Sequence, residues 1–101
     1  MLRTEYMKTK IQLKHPQGKK LASIDAEKYG LLKKAILASL NKKKGITHTE
    51  LVSKVNTYLS IKEISFNGSV EWYLEGVKLD LEATGLIDRI KEGNKFLFLK
   101  K

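Results

Sequence analysis

Residues 66–90 read F-N-G-S-V-E-W-Y-L-E-G-V-K-L-D-L-E-A-T-G-L-I-D-R-I. This stretch decides the fold: a turn, a helix, a glycine stop and a strand. Asn67 or Ser69 can accept a hydrogen bond from the free N–H groups of a first helical turn. Gly85 stands where a left-handed residue commonly closes a helix. Wound at about 100° per residue, Val70, Tyr73, Leu74, Val77 and Leu81 share one side, which is the core side. Glu71, Glu75, Lys78 and Glu82 form a charged side. Trp72, Gly76, Leu79 and Ala83 fill the third sector, roughly opposite the core. A helix apolar on two faces needs two things to pack against.

Working outward, Leu86–Ile90 and Lys95–Leu99 are short apolar segments joined by Lys91-Glu92-Gly93-Asn94, which predicts a hairpin. Phe96 and Phe98 point one way and Leu97 and Leu99 the other, so neither face should be fully wet. Upstream, Ile61, Ile64 and Phe66 predict a partly buried linker over 60–66, longer than the turn of a tight helix-turn-helix. Thr47-His48-Thr49-Glu50 is a capping box. It opens a helix over 48–59 that buries Leu51, Val52, Val55, Tyr58 and Leu59. Ile46-Thr47 has room for one or two residues of strand. Asp25 caps a helix over 26–40, stapled by Ile24, with Tyr29, Leu32, Ile36 and Leu40 inward. Gly30 inside it costs about 1 kcal/mol relative to Ala and points to close packing. Lys10–Leu13 alternates as a short N-terminal strand, and His15–Lys20 reads as a loop. Residues 1–9 read as a loosely ordered arm. The third helix covers 69–84.

One hundred and one residues make a single domain with one core. The absence of cysteine excludes disulfides, thiolate metal sites and a thiol nucleophile. No apolar run approaches the roughly 20 residues of a membrane span. No signal peptide opens the chain, so a cytoplasmic location is expected, with no membrane partner. The net charge of +9 invites a nucleic-acid reading. Residues 1–24 hold six basic and one acidic side chain, and residues 25–60 seven and three; residues 61–101 balance at seven each. The basic surplus lies outside the helix that decides the fold.

Helix, short strand, two helices and a hairpin resembles, in order, the winged helix-turn-helix superfamily. Leu81-Glu82-Ala83-Thr84-Gly85-Leu86-Ile87-Asp88-Arg89 looks like its junction between reading helix and wing. The resemblance covers residues 26–100. I-Q-L-K-H-P at 11–16, I-D-A-E-K-Y at 24–29 and the stretch 66–87 are also similar to a family of small bacterial proteins of unassigned function. Both resemblances imply an α+β, winged helix-like chain, and neither carries over an activity or a functional residue.

No catalytic, metal-binding or cofactor set stands out. His48 falls in a first helical turn, His15 precedes a proline, and the glutamates of 71–82 alternate with Lys78 as a solvated face does. The expected function is a non-catalytic binding module that leans to DNA or RNA. Lys14, Lys19, Lys20, Lys42, Lys43 and Lys44 would hold phosphate, with Lys91 and Lys95 at the wing tip. Asn67 and Ser69 would lie at the reading end, beside the unhelpful acids Glu71 and Glu75. The alternative is a protein-interaction or self-association surface on Trp72, Gly76, Leu79 and Ala83. A third possibility is that the chain covers this face itself. Leu2, Tyr6, Ile11 and Leu13 are available, and Ile11 or Leu13 is expected against Trp72 or Leu79.

Overall fold

A computed structural model describes residues 9–101. The arm read over 1–9 lies outside the described residues except for Thr9, and so do Leu2 and Tyr6. Two antiparallel hairpins and three helices form an α+β chain. Its elements are β1 (Lys10–Lys14), β2 (Lys20–Asp25), α1 (Ala26–Ser39), α2 (His48–Ile61), α3 (Val70–Ala83), β3 (Ile87–Glu92) and β4 (Lys95–Lys100). The three helices and the C-terminal hairpin fall within two residues of their expected bounds.

The expected N-terminal strand has a partner, β2, which runs from the last residue of the expected loop to the cap of α1. β2 pairs with β1, Gln12 opposite Ser23 and Lys14 opposite Lys20, so Leu13 faces two residues. This is a β-bulge. It lets Leu21 and Ile24, three residues apart, both pack against the core. Period-two alternation is broken there, which is why the strand is hard to see in the sequence. Gln12 Nε2 donates to the carbonyls of Leu13 and Leu21 at the irregularity. His15 closes the turn, its carbonyl accepting from Gly18 N–H and its Nδ1 from Gln17 N–H.

Each helix starts on a side-chain cap. Asp25 accepts from Lys28 N–H, Thr47 forms the full capping box with Glu50, and Ser69 accepts from Trp72 N–H. Asn67 therefore does not cap. Leu32, Ile36, Leu51, Val55, Leu74, Val77 and Leu81 are fully buried at the helix junction, and Ile87 and Phe98 bring the C-terminal hairpin onto it. Ile46 is the expected scrap of strand: it exchanges two backbone bonds with Phe98, at 3.0 and 2.7 Å. Ile61 and Gly30 depart from expectation. Ile61 belongs to α2 and is 74% exposed, because the helix runs past the last inward turn. Gly30 has open space where a Cβ would stand, so no close packing requires it.

Candidate binding surfaces

The hairpin β1–β2 reaches α3 at a notch. A Cβ on Gly76 would lie 2.7 Å from Leu13 Cδ1, and Leu13 is buried. The contact is locked by Asp80, a carboxylate only 3% exposed on the core side of α3. Its Oδ1 accepts from Lys14 N–H at 2.9 Å and its Oδ2 from the Tyr29 hydroxyl at 2.6 Å. Burial, the bond to Asp80 and the charge of Asp80, in that order, push the Tyr29 phenol up to about 12. Asp80 was not singled out in the sequence. Its sign there is a carboxylate three residues after Val77, on an apolar stripe.

Leu13 is thus the residue that crosses the groove, but it does not cover the tryptophan. Trp72 is 57% exposed and stands edge-on to Tyr73, with ring centroids 4.9 Å apart. A hollow of about 170 Å³ opens beside it, walled by Leu13, Leu21, Ala22, Gly76 and Leu79, with Glu75 at the margin. Ala83 falls outside this hollow and borders another one, under the lysines of the first hairpin.

The charged side of α3 is paired partly within itself and partly with α2 and β3. Lys78, expected in solvent, is 3% exposed because it sits four residues after Leu74 and packs its ammonium 4.1 Å from the Phe98 ring centroid. Its Nζ lies 3.0 Å from Glu75 Oε1 and 3.1 Å from His48 Nδ1. His48 also stands 3.6 Å from Glu71 and 3.5 Å from Glu75. Arg89 forks onto Glu82 at 2.9 and 3.0 Å and lies over the rings of Phe96 and Phe98. Glu75 also borders a hollow of about 360 Å³ towards His15–Gln17 and one of about 350 Å³ towards Lys95 and Phe96. These hollows meet at Glu75, and together they make a trough along the outer side of α3 between the two hairpins.

The basic candidates fall into three places. Lys14, Lys19 and Lys20 are exposed around one hollow of about 540 Å³ at the first hairpin. Lys91 and Lys95 are exposed at the tip of the second. Lys42, Lys43 and Lys44 form a turn held by Asn41, whose Oδ1 accepts from Lys43 N–H at 2.7 Å and Lys44 N–H at 3.2 Å. The Asn41 carbonyl accepts from Lys100 N–H at 2.9 Å, which sets the turn beside Lys100 and Lys101. These last two are members of the site that the sequence reading missed; only the pairing of β4 with the 41–46 loop brings them there. Lys101 has a carboxylate neighbour, Asp88, at 3.6 Å. Lys42, Lys43 and Lys44 make no ion pair among the described residues. Of the two candidates at the reading end, Ser69 has its hydroxyl engaged as the cap and Asn67 is exposed.

Among the described residues no group of three or more His, Asp or Glu is placed to hold a metal ion. No helix among them is long and apolar enough to cross a membrane. Residues 10–97 match a family of unknown function, DUF6958. The chain belongs to the DUF6958 family. Neither the curated proteins nor the solved structures contain a match. The family match runs from the start of β1 to the middle of β4, so the Leu13–Gly76 notch, α3 and Lys42–Lys44 of this DUF6958 chain lie within it, while Phe98, Lys100 and Lys101 lie beyond it.

Proposed function

We propose that this chain is a non-catalytic, winged-helix-like module of the cytoplasm that binds DNA or RNA by its phosphates rather than by its bases. The observation that carries this reading is the lysine turn. Asn41 fixes the backbone of Lys42–Lys44 against β4, and three exposed lysines that make no ion pair among the described residues project from it beside the C-terminal lysines. Such a cluster gains binding energy by releasing the counterions of a phosphate backbone, with no regard to sequence. α3 supports the same conclusion from the other side. β1 lies over its middle at Gly76, and its exposed glutamates would meet phosphate at Coulombic cost. A module built this way holds a strand without reading it.

The test is a titration of duplex DNA and of single-stranded RNA against salt. Binding at ~50 mM salt should fall steeply as salt rises. Replacing Lys42, Lys43 and Lys44 by alanine should weaken every sequence alike. It should also flatten the log–log salt slope by about 0.9 for each lysine that touches duplex phosphate. Absence of binding by the unaltered protein at low salt would end this reading. The exposed Trp72 favours a second reading, protein recognition, on a different surface.

A further inference from the structure

We infer that the trough along α3 is a docking surface for a cationic amphipathic segment of a partner protein. The argument rests on the contrast between this surface and the rest of the chain. In a protein of net charge +9, the hollow beside Trp72 is lined by Leu79 and by one charged side chain, Glu75, with Glu71 exposed one turn before it; Glu82, further along, is taken up by Arg89. The one lysine of the central turns of α3, Lys78, is turned inward and buried. Glu71 and Glu75 keep 68% and 50% of their side-chain surface in water. A lysine or arginine arriving from outside can reach both carboxylates without displacing Lys78. An acidic or nucleic-acid ligand would instead meet like charge.

Shape specifies the other half of the ligand. The hollow beside Trp72, about 170 Å³, is walled by aliphatic side chains and closed below by the Leu13–Gly76 contact. It has the size for one large apolar side chain. Exposed tryptophan at the lip of such a pocket is the type of residue that dominates interface energy. An aliphatic anchor with basic residues one turn away on the same helix face satisfies the pocket and the carboxylates together, as in helix-in-groove recognition. This surface shares no residue with the lysine turn, so the two readings stand or fall separately.

The probe is a fluorescein-labelled 14-residue amphipathic peptide of leucine and lysine, with a leucine and glutamate peptide of the same pattern as its counterpart. Trp72 is the sole tryptophan, so its emission reports the site directly. The leucine–lysine peptide should shift that emission to the blue and bind with salt-sensitive affinity, while the glutamate peptide should not bind. Trp72→Ala, read by anisotropy of the label, should weaken binding about tenfold or more, and Glu71→Lys should weaken it several-fold. The variant with Lys42, Lys43 and Lys44 replaced by alanine should bind the peptide as the unaltered protein does. Equal binding of both peptides, or indifference to Trp72→Ala and Glu71→Lys, overturns the inference. Two other occupants would also overturn it. A second copy would show as a concentration-dependent blue shift with a dimer in sedimentation. The chain's own first residues would show as an emission already blue in the free protein that reddens when residues 1–8 are removed.

Discussion

Asp80 and Lys78 are two residues apart on α3 and are each 3% exposed, yet neither is an isolated charge. Asp80 accepts one donor from β1 and one from α1, so a single carboxylate ties three elements together. Tyr29 reports on that tie. Its phenol is held protonated up to about 12 in the fold, above its ordinary value of 10.0. The stability that this adds is fully present below pH 10 and is lost as pH rises through about 12, because the unfolded chain gives up the proton first. Tyr29→Phe should therefore lower stability near neutrality by about 1.5–3 kcal/mol, the worth of one hydrogen bond to a charged acceptor. The gap between variant and unaltered protein should narrow between pH 10 and 12 in urea titrations. A gap that stays constant across that range would separate Tyr29 from the alkaline behaviour. In the sequence, both buried charges sit at helical spacing from core leucines and valines, but the partners of Asp80 lie 51 and 66 residues away, and Lys78 reaches His48, 30 residues away, besides its near neighbour Glu75. A stripe drawn through apolar residues alone passes over them, which is how Lys78 came to be expected in solvent.

At the scale of elements, two glycines that look alike in the sequence have opposite roles. Gly30 lies within α1 with nothing in the place of a Cβ, so its only effect is the poor helix propensity of glycine. Gly30→Ala should stabilise the chain by about 1 kcal/mol. Gly45 precedes the Ile46–Phe98 pairing, and a Cβ there would stand 2.7 Å from Leu97 Cβ. That neighbour is the stem of a strand residue and cannot swing aside. Gly45→Ala should destabilise by about 1–3 kcal/mol through overpacking. Chemical denaturation of the two variants, which should move in opposite directions, checks both. The helices and the second hairpin were legible because their caps and turns are local: Asp25, Thr47–Glu50, Ser69 and Gly93 each act within a few residues. The strand β2 was not legible, because the bulge opposite Leu13 puts Leu21 and Ile24 out of step with an alternating pattern.

For the whole molecule, the candidate surfaces were legible as residue types and not as places. Lys42–Lys44 and Trp72 stand out in any reading of the chain. That Asn41 would set the lysines beside Lys100, or that Leu13 would fill the notch at Gly76 and leave Trp72 open, depends on contacts between distant segments. The bond from Lys14 to Asp80, 66 residues apart in the chain, has a further consequence, for kinetics. Both hairpins and all the helix caps close short loops, which a chain can do quickly. Docking of the first hairpin on α3 must wait until the intervening helices have brought Asp80 within reach, so it belongs to the late side of the folding barrier. Asp80→Asn should accordingly steepen escape from the native state, raising the unfolding rate, while leaving the refolding rate nearly as it was. A chevron in which the refolding arm moves instead would place that docking in the nucleus. If it does come last, it is also the first contact to open, and the floor of the trough would be bared from beneath Leu13 well before the protein unfolds.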